Sequence, residues 1–139
     1  MAQRLTLVAD STAWIAFYRT DESQLQQAMI IALRQHTLLV PDLVLFEVLR
    51  GIDSEKQAKA VVREFESFEC IEIGGRENAL LAAKNYRELR SKSITVRGTV
   101  DLLIGTWCLA NHIPLIHDDR DFVGFEKYLG LKVWHHFQT

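Results

Sequence analysis

Asp10, Glu47, Asp101 and Asp119 are carboxylates placed where an apolar core is expected. Asp10 directly follows the run Leu7-Val8-Ala9. Glu47 sits inside Leu43-Val44-Leu45-Phe46-Glu47-Val48-Leu49, a segment apolar on nearly every helical side and so expected to be buried. Asp101 is the only charge between Gly98 and Asn111. Asp119 follows an apolar run within Leu115-Ile116-His117-Asp118-Asp119-Arg120-Asp121-Phe122. An ionised carboxylate in such surroundings must find a cation, gather hydrogen bonds or take up a proton. Acids at strand ends and on flanking helices can instead share a hard divalent cation such as Mg²⁺ or Mn²⁺, which prefers oxygen ligands. No Cys/His set points to zinc. A carboxylate cluster around such an ion suits phosphodiester hydrolysis, because the metal activates water and offsets charge on the phosphate oxygens.

Each acid also has a plainer role open to it. Asp10 can cap the helix that follows. Glu47 can pair with Arg50 one turn on. Asp101 can favour the positive end of its helix. Asp119 and Asp121 can bond their own loop backbone. The plain reading is strongest for Asp101 and Asp121 and weakest for Glu47. All four acids taking plain roles together, in this order and topology, is the less economical account.

The elements that must position these acids are legible as apolar runs. Leu5–Ala9, Thr37–Val40, Cys70–Ile73, Ile113–Ile116 and Leu131–Trp134 read as strands. Between them lie helical patterns. Ala13–Tyr18 is one, and another opens at Asp21, with Gln24 three residues on, and runs to about Arg34. A third spans Asp42–Arg50, stopped by Gly51. A fourth opens at Ser54 with Gln57, with Ala58, Val61, Val62, Phe65 and Phe68 as its core stripe. Glu77–Ser91 turns Ala79, Leu80, Ala83, Tyr86 and Leu89 inward, and Val100–Asn111 is capped by Thr99. Short apolar strands alternating with helices predict an α/β fold. It has one parallel sheet of about five strands with helices on both faces. In such sheets ligands bind beyond the carboxyl ends of the strands, where these acids fall.

The whole chain, residues 1–139, reads as one domain, with Lys plus Arg at 16, Asp plus Glu at 18 and a formal charge of −2. A hydrophobic fraction of 48% and a charged fraction of 24% exclude a disordered tail and a binder held by bulk positive charge. Cys70 and Cys108 form no C-x-x-C pair and read as packed thiols of a reducing compartment. No apolar run reaches the roughly 18 residues of a membrane span. Met1-Ala2-Gln3-Arg4 leads into a strand that Asp10 interrupts, unlike a signal peptide, so a cytoplasmic protein is expected.

With these blocks in place, the chain resembles the PIN-domain family, and within it the VapC-type toxins of toxin–antitoxin pairs. Leu7-Val8-Ala9-Asp10-Ser11-Thr12-Ala13-Trp14-Ile15 is similar to the family's opening hydrophobic-Asp-Ser/Thr segment. Phe46-Glu47-Val48-Leu49-Arg50-Gly51 is similar to its Glu-x-x-x-Gly helix, and Asp101-Leu102-Leu103-Ile104-Gly105 to its Asp-x-x-Ile-Ala helix. Leu115 to Phe122 resembles its strand followed by Asp-x-Asp-Phe. The resemblance implies a Mg²⁺- or Mn²⁺-dependent endoribonuclease that leaves a 5′-phosphate and a 3′-hydroxyl. On it, Asp10, Glu47, Asp101 and Asp119 form the acidic quartet and Asp121 is an accessory acid. Ser11 is a hydroxyl near the metal. It further implies a homodimer and inhibition by a small antitoxin that reaches into the acidic site. His117 stands where the family usually has Thr or Ser. It is expected as an exposed histidine at the rim, with a hydrogen bond to an acid or a metal as the alternatives.

Arg87, Arg90, Lys92 and Arg97 form a basic stretch before the Asp101 helix, and Arg97 and Arg120 are the candidates for contacting an RNA backbone. Trp14, Phe17 and Tyr18 read as core or partner interface before base stacking. The pair His135-His136 is poor evidence for a metal. Two other classes compete with the nuclease. One is a catalytically silent PIN-fold binding module, against which the intact acids argue. The other is a receiver or haloacid-type phosphotransfer domain. A receiver wants an Asp after its third strand, where this chain has Ile73-Gly74-Gly75. A phosphatase wants an Asp at residue 12, which is Thr.

Overall fold

The computed structural model describes residues 3–19 and 22–135. Asp21, expected to open a helix, and His136 of the terminal pair lie outside the described residues, as do Met1 and Ala2. Four strands form one parallel sheet: β1 (Thr6–Ala9), β2 (Thr37–Pro41), β3 (Glu69–Ile71) and β4 (Leu115–Ile116). The strand order is β3-β2-β1-β4, with Thr6 beside Thr37, Val8 beside Leu115 and Val40 beside Cys70. β1, β2 and β4 read as unbroken apolar runs because both faces are covered: Leu7, Val8, Ala9, Leu38, Leu39, Val40, Leu115 and Ile116 are all buried.

The expected fifth strand is reduced to a single bridge between Leu115 and Val133. Two backbone bonds hold that segment, from Leu115 N–H to Lys132 and from Trp134 N–H to Leu115. β4 offers only two residues to pair with, so the ladder cannot lengthen.

Six α-helices connect and cover the sheet. They are α1 (Ser11–Tyr18), α2 (Gln24–Gln35), α3 (Asp42–Arg50), α4 (Glu55–Phe65), α5 (Arg76–Ser91) and α6 (Thr99–Asn111). Each start has a local cause. The Asp10 carboxylate accepts from Ala13 N–H, Ser23 Oγ from Gln26 N–H, and Ser54 Oγ from Gln57 N–H. α3 is bracketed by Pro41 and Gly51. α6 begins one residue earlier than expected, with Gly98 rather than Thr99 at the cap. A 3-10 turn at Arg120–Phe122 and a π-helical turn at Phe125–Leu129 follow β4. Among the described residues, no helix is long and apolar enough to cross a membrane.

The core joins the sheet to an aromatic cluster. Trp14 is fully buried, with its ring centroid 4.7 Å from Phe65 and 5.5 Å from Phe68. It is therefore a core residue and not a stacking platform. A buried side chain of this size contributes on the order of 3 kcal/mol. Phe122 and Phe125 fill the space behind β4, and Gly105 lets Phe125 approach α6. A Cβ at Gly105 would lie 2.8 Å from the Phe125 ring.

Four packing expectations need correcting. α5 buries Asn78, Ala82 and Leu89, while Leu80 and Tyr86 face outward with Ala79 and Ala83. The face is chosen by Asn78, whose amide donates to the Ile73 carbonyl at 2.8 Å and the Leu103 carbonyl at 3.0 Å. α3 is not buried all round. Val44 and Val48 face the core, while Phe46 is 56% exposed beneath the Arg50 guanidinium. Val62 of α4 is also exposed. Cys108 is buried as expected, but Cys70 is exposed, because β3 is an edge strand with no segment paired beyond it among the described residues, whereas the Val133 bridge lies beyond β4 at the other edge.

Candidate metal centre

The sheet order sets the location. From β1 the chain moves to β2 and β3 on one side, then returns to place β4 on the other side of β1. The crevice beyond the carboxyl ends of β1 and β4 is the switch point where open α/β sheets bind ligands. Asp10 leaves β1 there and Asp119 leaves β4 there.

Asp101, Asp119 and Asp121 each bring a carboxylate oxygen to within 4.8 Å of the others, a spacing that one cation can bridge. Asp101 comes from the first turn of α6, Asp119 from the cap of the 3-10 turn and Asp121 from inside that turn. Asp10 and Glu47 belong to the same field. The charges of Asp119 and Glu47 act on Asp10, and those of Asp119, Asp10 and Asp121 act on Asp101.

Most of these acids do hold plain structural roles, and those roles occupy only some of their oxygens. Asp10 Oδ1 accepts from the Thr12 hydroxyl at 2.7 Å and from Ala13 N–H at 3.0 Å, whereas its Oδ2 is buried with no hydrogen-bond partner. Glu47 Oε2 lies 3.8 Å from Arg50, whereas its Oε1 is buried and unpartnered. Asp119 Oδ1 accepts from Asp121 N–H and Asp121 Oδ2 accepts from Gly98 N–H, each at 2.9 Å. One oxygen anchors the residue, and for Asp10 and Glu47 the other is left without a partner.

The electrostatics follow from crowding. Burial raises the Asp10 carboxyl to about 7, aided by Asp119 and Glu47 and opposed by the bonds from Thr12 and Ala13. Burial raises Asp101 to about 8, with the charges of Asp119 and Asp10 adding to it. Among the described residues, the one salt bridge from a Lys or Arg side chain to any of these acids is that of Arg50 with Glu47. Buried oxygens without donors, like charges at close range and a scarcity of cations fit a divalent ion, with Asp10, Glu47, Asp101, Asp119 and Asp121 able to supply its oxygens.

The remaining candidates divide. Ser11 opens α1 beside Asp10, but the hydroxyl that touches the carboxylate is that of Thr12, which also accepts from Asp118 N–H at 3.3 Å. Thr12 thereby ties the β1 end to the β4 end. Arg97 and Arg120 are exposed, Arg97 directly before Gly98 and Arg120 between Asp119 and Asp121. His117 is not an exposed rim residue, since its side chain is only 9% exposed. Its Nδ1 accepts from Asp119 N–H, and its Nε2 bonds Glu126 Oε2, both at 3.1 Å. The first bond requires a bare Nδ1, so the proton is assigned to Nε2. Burial lowers the pKa of this imidazole, against the pull of Glu126.

Sequence reasoning missed Thr12, Gly98 and Glu126. The adjacent hydroxyls of Ser11 and Thr12 were a signal without a choice between them. Gly98 is required for space, because a Cβ there would lie 2.6 Å from Asp101 Oδ2 and 3.3 Å from Asp121 Oδ2. A glycine three residues before an isolated acid is a readable hint of that. Nothing in the local pattern marks Glu126.

The PIN domain family model matches residues 7–128. No curated protein matches the chain in sequence. Among solved structures, it is similar to VapBC2 from Rickettsia felis bound to a DNA fragment from their promoter. The TM-score is 0.73 at 16% identity, over 94% of this chain and 98% of that one. It is also similar to VapBC-1 from nontypeable Haemophilus influenzae, with a TM-score of 0.69 at 16% identity, over 94% and 98% of the two chains. DNA-bound VapBC from Salmonella typhimurium gives 0.68 at 16% identity, over 94% and 97%. These structural likenesses carry the fold. The family match runs from the first buried strand into the π-helical turn, replaces the receiver and haloacid readings, and establishes that the chain belongs to the PIN domain family.

Proposed function

We propose that the protein is a Mg²⁺- or Mn²⁺-dependent endoribonuclease that acts as the toxin of a toxin–antitoxin pair. The observation that carries this reading is the acidic crevice itself. Asp101, Asp119 and Asp121 converge within 4.8 Å, and unpartnered buried oxygens are held on Asp10 and Glu47. The family match and the VapBC neighbours support the reading.

In this account Asp10, Glu47, Asp101 and Asp119 hold the ion, and Asp121 assists. A divalent ion bound there supplies Lewis-acid charge for the phosphate and lowers the pKa of water. The protein's own residues do the rest. Asp10 and Asp119 are fixed in direction by Thr12, Ala13 and the 3-10 turn, so little reorganisation is needed when substrate arrives. Asp121 accepts from Gly98 N–H and so ties the start of α6, which carries Asp101, to the 3-10 turn. Arg97 and Arg120 offer positive charge to the phosphates on either side of the acids. Hydrolysis by water leaves a 5′-phosphate and a 3′-hydroxyl. The working unit is a cytoplasmic homodimer, restrained by a small antitoxin that enters the same acidic crevice.

The test combines variants with growth. Asp10→Asn and Asp101→Asn should abolish RNA cleavage and weaken Mn²⁺ binding while leaving the far-UV circular dichroism unchanged. Expression of the wild type should arrest bacterial growth, and neither variant should. Normal growth with soluble wild-type protein would refute the toxin role, and variants that cleave as well as wild type would refute the site.

A further inference from the structure

A second concavity opens directly beside the acidic crevice. Its volume is about 400 Å³, within the range of pockets that hold small ligands. Thr12, His117 and Asp118 line it; Thr12 donates to the Asp10 carboxylate, His117 accepts from Asp119 N–H, and Asp118 directly precedes Asp119. A group bound there is therefore a neighbour of anything bound at the acids.

The chemistry of its walls is mixed in a specific way. Ala16 of α1 and Ala28 of α2 are small buried residues on packed helices, and between them they leave room that larger side chains would fill. Ile116 and Trp134 complete an apolar floor. The rim is polar. Gln24 provides an amide, and Arg19 a guanidinium without an ion pair or hydrogen bond to the described residues. A cavity part apolar and part polar, with donors and acceptors at its edge, suits a nucleobase, and a guanidinium suits the phosphate attached to it. Arg19 also offsets the repulsion that the neighbouring acids exert on a polyanion.

We propose that this cavity is a subsite for the nucleobase adjacent to the cleaved phosphate, with Gln24 as the residue that reads the base and Arg19 as the residue that holds its phosphate. The proposal rests on the nuclease reading above. It commits to a nucleotide as the occupant, and a peptide segment of a protein partner is the competing one.

The test uses the metal-free full-length protein and each of the four ribonucleoside 5′-monophosphates, followed by NMR. At least one nucleotide should saturably shift the Trp134 indole N–H and the Ala16 and Ala28 amides. Arg19→Gln, at an exposed position, should weaken that binding roughly five- to tenfold, as loss of a charge-assisted contact does, and Gln24→Ala, also exposed, should weaken it about two- to fivefold, as loss of a neutral hydrogen bond does. Gln24→Ala should also change the sequence pattern of RNA cleavage in Mg²⁺, and Arg19→Gln should slow cleavage of every sequence alike. Nucleotides that leave the Trp134 signal unmoved, or shifts produced only by partner peptide, would overturn the subsite. Cleavage with an unaltered pattern in Gln24→Ala and an unaltered rate in Arg19→Gln would overturn the subsite and leave the nuclease standing. Saturable nucleotide binding without any RNA cleavage would uphold the cavity as a nucleotide site and overturn the nuclease reading on which its role depends.

Discussion

Replacing Asp10 with Asn should make the metal-free protein more stable above neutral pH while it destroys function. An Asn side chain keeps an oxygen that can accept from the Thr12 hydroxyl and Ala13 N–H, the two bonds that cap α1. What it removes is a charge. The Asp10 carboxyl is fully buried, one of its oxygens has no partner, and burial moves it from an ordinary 3.8 to about 7. A carboxyl raised on folding favours the fold fully below its unfolded value and loses that contribution as pH climbs through its folded value. The window here runs from about pH 4 to about pH 7. Between pH 5 and pH 8 the wild type should lose about 2–3 kcal/mol relative to the Asn variant. Asp101 titrates in both proteins, and losing the Asp10 charge eases its ionisation, so its contribution widens the gap in the same direction. Urea unfolding in EDTA at the two pH values measures the gap, and added Mg²⁺ at pH 8 should narrow it by binding the ionised wild-type site. A gap that is the same at pH 5 and pH 8, or that closes as pH rises, would refute the reasoning.

Other perturbations probe the supports of the site. His117→Ala leaves the Asp119 amide and Glu126 unpartnered and should lower Mn²⁺ affinity and kcat by about 10- to 100-fold. His117→Asn, whose side chain can accept from the amide two residues on, should recover most of the affinity, and equal losses in both variants would argue against the positioning role. Gly98→Ala drives a methyl to 2.6 Å from Asp101 Oδ2 and should weaken metal binding while the remainder of the fold keeps its hydrogen-exchange protection. Gly105→Ala presses on the Phe125 ring at 2.8 Å and should cost about 1–3 kcal/mol by denaturant titration, with metal affinity per folded molecule unchanged.

The sheet and the acids were legible because burial leaves a strong mark on sequence. The inner strands are covered on both faces, so Leu7-Val8-Ala9 and Leu38-Leu39-Val40 read as continuous apolar runs. Pro41 and Gly51 bracket α3, which makes its bounds readable to the residue. Charges inside such runs stand out for the same reason. What escaped depends on contacts between distant segments. The inward face of α5 is chosen by a polar residue, Asn78, that reaches two carbonyls on other elements, and apolar spacing gives no weight to an amide. The exposure of Cys70 follows from β3 being an edge, which only the strand order reveals. His117 looked like a rim residue because its partner, Glu126, arrives from the π-helical turn after the 3-10 turn. The bland and functional readings of the acids also proved compatible. Asp10 caps a helix with one oxygen and leaves the other buried without a donor.

The central claim is metal-dependent hydrolysis of RNA at this crevice, and the chemistry of the cut ends tests it most directly. RNA incubated with the wild type should be cleaved in Mg²⁺ or Mn²⁺ but not in EDTA, and the fragments should carry 5′-phosphate and 3′-hydroxyl ends. Undiminished cleavage in EDTA, or fragments ending in 2′,3′-cyclic phosphate, would contradict the account.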